Sequence, residues 1–169
     1  MKIELVEKLY RNRDELWGVV EGLTDEQITT IPVVGEWTIK DVVGHVAYWE
    51  GVILDHVRES YAEGRPRPMR DDENDDIVNP REAAKRKNRP WARIRAEFAN
   101  VRAALIGKVE RLSETELEFQ VPNPWWNQHG FYSVAQMIEE DALGHCREHA
   151  EQIKNWRLEI GDCGASRRD

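Results

Sequence analysis

Four long stretches of this chain repeat their apolar residues every three or four positions, with charged residues between them. This spacing is the period of an amphipathic α-helix that buries one face and leaves the other in water. The stretches predict four helices, at about residues 2–22, 38–63, 91–112 and 133–159. No alternation of strands with helices and no strand-rich segment competes with this pattern. The predicted fold class is therefore all-α, a four-helix bundle.

The two halves of the chain resemble each other in how they connect their helices. Residues 23–28, after the first predicted helix, and residues 112–117, after the third, both combine leucine, a hydroxyl residue and acids. Each segment is followed by an irregular stretch, an aromatic residue, a cap residue and a long helix. Two units are too few for a repeat array, so we interpret them as two helix pairs.

Start signals for the second and fourth helices are also present. Thr38 and Asp41 are spaced as a capping box with the shorter acid, and Ser133 and Gln136 are spaced as a complete one. Between the two halves, residues 64–80 contain one glycine and three prolines. They predict a crossover loop.

The crossover has two further features. Its acidic run at Asp71–Asp76 predicts a solvated segment. A short helical turn is predicted after Asn79 and Pro80, a cap residue followed by proline at the first helical position. Pro90 predicts that the third main helix restarts there.

Length and charge limit the class of protein. A chain of 169 residues is long enough for one domain with its own core, predicted at residues 1–160 and followed by a flexible tail at 161–169. The chain carries 24 Lys plus Arg against 32 Asp plus Glu, a net charge of −8. We therefore expect no nucleic-acid partner, because phosphate binding needs a clustered excess of basic residues. The expected partner is a small-molecule substrate.

The N-terminal segment and the cysteines bear on location. The first residues mix acids and bases and offer no signal peptide, and no apolar run is long enough to cross a membrane. The two cysteines, Cys146 and Cys163, cannot build a disulfide framework. We expect a cytoplasmic protein without membrane association.

Three of the five histidines are placed where they could share a metal ion. His145 and His149 are four residues apart on the fourth predicted helix, and thus on the same face. His45 lies seven residues after the cap of the second predicted helix, at a compatible depth if the two helices are antiparallel. Imidazole nitrogens are common ligands of divalent transition metals. The spacing indicates a candidate metal site at these three residues.

The same residues also allow an interpretation without metal, in which His45 is a hydrogen-bonded core residue and the pair lies on the surface. His56 lies about 16 Å further along the helix than His45, too far for the same ion. His129 lies in a loop whose aromatic residues could line the mouth of a pocket, although loop packing is favoured. Cys146 is rotated about 100° from His145 and is expected to pack.

The segment Gly35–His45 resembles the signature of the DinB/YfiT-like superfamily, in which a Trp-Ser/Thr motif opens the second helix and a histidine follows the cap by seven residues. The His-x-x-x-His pair late in the fourth helix completes the pattern. Asn79–Glu82 and the segment around Trp91 are similar to the ClbS/DfsB-like branch. The resemblance covers about residues 2–158.

This resemblance implies an up-down-down-up bundle with a long crossover between the second and third helices, commonly as a homodimer. It also implies a divalent metal ion, such as zinc, nickel, iron or manganese, held by His45, His145 and His149. Relatives with such a site activate a low-molecular-weight thiol, and the ClbS/DfsB-like branch is associated with protection against toxic small molecules.

The functional hypothesis is a metal-dependent enzyme acting on a small molecule, either a thiol-dependent transferase or a hydrolase of the detoxification or stress type. Three imidazoles leave coordination positions open, where water or a thiol is acidified into a nucleophile. Glu140 or Asp141 is a candidate either for a group that accepts a hydrogen bond from a metal ligand or for the general base. Two alternatives are a metal-free protein that binds or sequesters a small molecule among the seven tryptophans, and a structural dimer without chemistry.

Overall fold

The computed structural model describes residues 1–62, 74–122 and 130–165. The elements in chain order are α1 (Lys2–Val20), α2 (Asp25–Thr29), β1 (Pro32–Val34), β2 (Trp37–Thr38), α3 (Ile39–Ala62), α4 (Asp75–Arg86), α5 (Trp91–Arg111), α6 (Glu114–Leu117), β3 (Gln120–Pro122), β4 (Phe131–Ser133), α7 (Val134–Met137), a π-helical segment (Ile138–Gly144) and α8 (His145–Ala165).

The bundle consists of α1, α3, α5 and a fourth helix made of α7, the π-helical segment and α8. Helix α1 packs against α5 and α8, and α3 packs against α5. The predicted all-α bundle, with its crossover between the second and third long helices, is confirmed. No helix within the described ranges is both long enough and apolar enough to span a membrane.

Each half of the chain places a short helix and a two-stranded antiparallel ribbon between its two long helices. Thr24 and Ser113 cap the short helices in complete capping boxes with Gln27 and Glu116. The internal similarity predicted from the sequence is thus confirmed. The ribbons were not predicted, because strands of two or three residues are too short to show an alternating pattern.

Both predicted caps of the long helices are present. The Thr38 hydroxyl accepts from the Asp41 backbone N–H at 3.3 Å, and the Asp41 carboxylate accepts from the Thr38 N–H at 3.1 Å. The corresponding distances for Ser133 and Gln136 are 3.1 and 2.8 Å. Because β2 and β4 end at these two cap residues, the ribbons lead the chain directly into α3 and the fourth helix.

The crossover is more helical than predicted. Helix α4 begins at Asp75, so residues 75–80 of the predicted loop are helical, and the helix does not begin after Asn79 and Pro80. Pro80 lies inside the helix, where it removes one backbone hydrogen bond. The third long helix begins after Pro90, as predicted.

Helix α4 starts inside the acidic run. The side chain of Asn74 caps it by accepting from the Asp76 N–H at 2.9 Å. Asp75 and Asp76 lie in the first turn, where the helix dipole favours acids. These acids therefore stabilise a helix start, while the earlier part of the run lies within residues 63–73, outside the described ranges.

The fourth helix differs from its prediction in two respects. It contains a π-helical segment immediately before His145, and it continues to Ala165, past the predicted end near 159 and into the predicted tail at 161–169. Five of its buried residues are spaced four apart, Val134, Ile138, Ala142, Cys146 and Ala150, and others, such as Leu143, His149 and Ile153, lie between or after them. Steps of four alone rotate off one face of an α-helix by about 40° each, and the wider π turn reduces this rotation between Ile138 and Gly144.

Candidate metal centre

The side chains of His45, His145 and His149 come together between α3 and α8. Nε2 of His145 lies 2.9 Å from Nε2 of His45 and 3.0 Å from Nε2 of His149. One potential ligand atom from each residue lies within 4.8 Å of the other two. The structure therefore brings together the three residues selected from the sequence, and their role as metal ligands stays a prediction.

Outer partners orient two of the rings. Nδ1 of His149 lies 2.7 Å from Oε1 of Gln152, and an amide oxygen can only accept there. Nδ1 therefore carries the proton of the neutral ring, and Nε2 presents a lone pair to the other histidines. Asn79 on α4 lies beside His45 and favours its protonated form, and Oδ1 of Asn79 accepts from Trp49 Nε1–H at 2.9 Å.

The three imidazoles are neutral at neutral pH. Burial, reinforced by the charges of the neighbouring imidazoles, lowers the pKa of His45 to about 3 and that of His145 to about 3. Burial also lowers the pKa of His149. Neutral imidazole is the form that binds metal ions, since the ligand nitrogen must have a free lone pair.

A divalent cation fits this donor set. With Nε2 of His149 unprotonated, at most one of the two short N···N contacts can be a well-aligned hydrogen bond, so the other contact lacks one. The usual Zn–N distance is about 2.0–2.1 Å, and a cation between these nitrogens would supply the missing partner. Two nitrogens bound in this way can be up to about 4.2 Å apart; both short contacts meet this limit, and the third pair, His45 and His149, lies within 4.8 Å.

The other histidines and the cysteines are not part of this cluster within the described residues. His56 is buried further along α3. Cys146 packs in the core, as predicted, and burial raises the pKa of its thiol to about 12. His129 and the side chain of Cys163 lie outside the described parts of the chain.

The two candidate bases lie in the π-helical segment. Glu140 is exposed there, and Asp141 is half-buried. Their role in catalysis stays a prediction.

The groups that surround His45 were not predicted from the sequence as part of the site. The Trp37 ring on β2 lies 4.8 Å from the imidazole, centroid to centroid. Helix α4 comes close to α3 at Gly44, where an added Cβ would lie 2.9 Å from Cδ of Arg86. The Gly44-His45 pair is thus a sequence signal for a close neighbour beside the site. A narrow cleft of about 10 Å³ reaches His45 and is lined by Trp37, Asp41, His45, Asn79, Glu82, Ala83 and Arg86.

Fold and site together define a four-helix bundle protein with three histidines grouped as a candidate metal centre. The family model of the DinB superfamily matches residues 8–153, and the chain belongs to this superfamily.

Three solved structures share its fold. YfiT from Bacillus subtilis, described as a probable metal-dependent hydrolase with an unusual four-helix bundle topology, is 18% identical. The match covers 95% of this chain and 87% of YfiT, with a TM-score of 0.72. The colibactin self-resistance protein ClbS, in complex with a dsDNA, is 16% identical over 92% of this chain and 94% of ClbS, with a TM-score of 0.72.

The third structure is a mycothiol-dependent maleylpyruvate isomerase, 14% identical with a TM-score of 0.71. The match covers 90% of this chain, but the chain spans only 60% of the isomerase. At these identities the three structures establish the fold alone.

The expectation that the acidic net charge excludes a nucleic-acid partner is wrong. ClbS has the same fold and was crystallised with dsDNA. Net charge sums the whole surface, whereas phosphate binding depends on where basic residues cluster. In this chain, residues 81–95 contain seven Lys and Arg and one Glu, so the total of −8 conceals a basic segment.

Proposed function

We propose that this protein is a metal-dependent enzyme acting on a small molecule, with a divalent ion held by His45, His145 and His149. The convergence of three neutral Nε2 atoms carries the proposal. YfiT, described as a probable metal-dependent hydrolase, and the mycothiol-dependent isomerase support a hydrolase or a thiol-dependent transferase. The detoxification or stress role, the homodimer and the cytoplasmic location stay predictions.

A bound divalent ion supplies a Lewis acid with an open position for water or a thiol. The chain's own residues prepare that position. Gln152 holds the ring of His149 with its lone pair toward the site. Asn79 restrains His45, and the Trp37 ring covers one side of the same imidazole.

The direct test is the metal content of protein purified without a histidine tag. We expect about one divalent ion per chain, measured by inductively coupled plasma mass spectrometry. After removal of the ion with a chelator, the apoprotein is expected to bind Zn²⁺ or Co²⁺ with one-to-one stoichiometry. A protein that is purified without metal and binds none on titration contradicts the proposal and favours the metal-free binding protein.

We propose nucleic-acid binding as a second candidate function, at a basic corner formed by the exposed side chains of Lys85, Lys87, Arg89 and Arg93 where α4 meets α5. Two of the four are ion-paired, Lys85 with Glu82 and Arg89 with Glu97. Arg93 lies in the first turn of α5, where the helix dipole disfavours a positive charge. A contribution to helix stability therefore does not account for an arginine at this position. The guanidinium groups of the arginines and the side-chain amides of Asn88 and Asn100 can donate hydrogen bonds to phosphate oxygens. ClbS, crystallised with dsDNA, supports this choice of partner. A cleft of about 560 Å³ at the corner is lined by Asn88, Arg89, Pro90, Arg93, Ala96, Glu97 and Asn100.

This second candidate predicts DNA binding that weakens as salt rises, because bound cations displace counterions from the phosphates. Fluorescence anisotropy with a short duplex of mixed sequence measures it. Arg89→Glu combined with Arg93→Glu should lower the affinity by about tenfold or more. Lys154→Glu, a charge reversal at an exposed position on α8, is the control and should have a much smaller effect. Equal binding by the two variants, or no binding by the wild type, contradicts the candidate.

A further inference from the structure

A buried polar network connects the helices of the bundle beside the histidines. Glu50 on α3 and Arg102 on α5 are both 0% exposed and form an ion pair. Nε of Arg102 donates to Oε2 of Glu50 at 2.9 Å, and Nη2 donates to Oε1. Nη1 of Arg102 donates to the backbone carbonyl of Leu9 on α1 at 2.8 Å. The ion pair therefore joins three of the four helices.

Asn12 on α1 extends the network to the fourth helix. Its Oδ1 accepts from Nη2 of Arg102 at 3.0 Å, and its Nδ2 donates to the carbonyl oxygen of Leu143 at 3.4 Å. Arg102 also interacts electrostatically with Cys146. Leu143 lies two residues before His145, and Cys146 directly follows it. The network thus contacts the fourth helix on both sides of His145.

Stability alone does not account for such a network. Replacing a buried ion pair by apolar side chains of similar volume is often neutral or stabilising. The best-supported role of buried polar groups is to fix the register of neighbouring helices. The contact with Leu143 is made to the π-helical segment, and π turns occur frequently at functional sites.

We propose that Asn12 is a positioning residue for the metal centre. Together with the Glu50–Arg102 pair, it sets the position of His145 on the fourth helix relative to His45 on α3. Glu50 lies on the same helix as His45, so the network runs from the helix of one histidine to the helix of the other two. The inference rests on the proposed metal-dependent function, and Asn12 acts through the carbonyl of Leu143.

Asn12→Asp tests this role, because aspartate keeps an acceptor for Arg102 but replaces the amide donor to Leu143 with a carboxylate. In the apoprotein, the dissociation constant for Co²⁺ is expected to rise by about tenfold, with a changed visible spectrum of the bound ion. Leu117→Ala, which shortens a buried core side chain, is the control: it should lower stability without changing Co²⁺ affinity. If Asn12→Asp does not fold, Asn12→Ser removes the same amide donor without adding a charge.

The outcomes separate the inference from the proposed function. A folded Asn12 variant with the wild-type affinity and spectrum overturns the inference and leaves the metal site intact. If the wild type binds no Co²⁺, the proposed function fails. The positioning claim is then decided by amide hydrogen exchange of residues 138–145 in the metal-free proteins. Faster exchange in the Asn12 variant than in Leu117→Ala supports it, and equal exchange overturns it.

Discussion

Replacing His145 with alanine is expected to abolish stoichiometric metal binding, because its Nε2 is the atom that both other imidazoles approach. His45→Ala and His149→Ala each leave two of the three ligands and should also lose the ion. The loss of affinity should exceed the roughly 10- to 100-fold that follows from changing an outer hydrogen-bond partner of a ligand. Metal analysis of the purified variants and competition with a chromophoric chelator measure it.

His56→Gln is the matched control, since it also removes a histidine from α3 but lies outside the cluster. A second measurement is the thermal midpoint with and without added metal. An ion that binds only the folded chain stabilises it by about 2.7 kcal/mol at 100 times its dissociation constant. The wild type and His56→Gln should show this shift, and the three alanine variants should not. An alanine variant with full metal content and a full shift contradicts the assignment of that residue.

The sequence predicted the bundle and the three histidines because both depend on local periodicity. Each long helix buries a face that is mainly apolar, which the spacing of its residues reveals directly. The four-residue spacing of His145 and His149 places both side chains on one helical face, because both residues lie in α8, after the π-helical segment. His45 follows a cap that the structure retains, so its position along α3 was also predictable.

The surroundings of the histidines were not predictable in the same way. Asn79 contacts Trp49 and His45 because α4 packs on α3. The full length of α4 was not predicted, because its internal proline and the acidic run at its start are more typical of a loop. The π turn had no signal of its own, because the buried residues of the fourth helix are spaced by three as well as by four, as in an ordinary amphipathic helix. Glu50 and Arg102 occupy inward positions of their helices, but sequence alone does not pair charges that are distant along the chain.

Arg102→Ala is expected to lower the free energy of unfolding by about 3–5 kcal/mol, because it leaves the carboxylate of Glu50 buried without its counter-ion. Burial raises the pKa of Glu50, while Arg102 opposes that shift by favouring the charged form. Urea unfolding at neutral pH, followed by circular dichroism, measures the change. Arg93→Ala, at an exposed position of the same helix, is the control and should change stability by no more than about 0.5 kcal/mol.

The double variant Glu50→Leu with Arg102→Met separates stability from positioning. Because apolar side chains can replace a buried ion pair without net loss, it should regain most of the stability lost in Arg102→Ala. Its Co²⁺ affinity should nevertheless stay below that of the wild type, since neither new side chain can hold Asn12 against Leu143. If Arg102→Ala is as stable as the wild type, the buried ion pair does not contribute to stability as proposed. If the double variant binds Co²⁺ as tightly as the wild type, the ion pair does not position the metal centre.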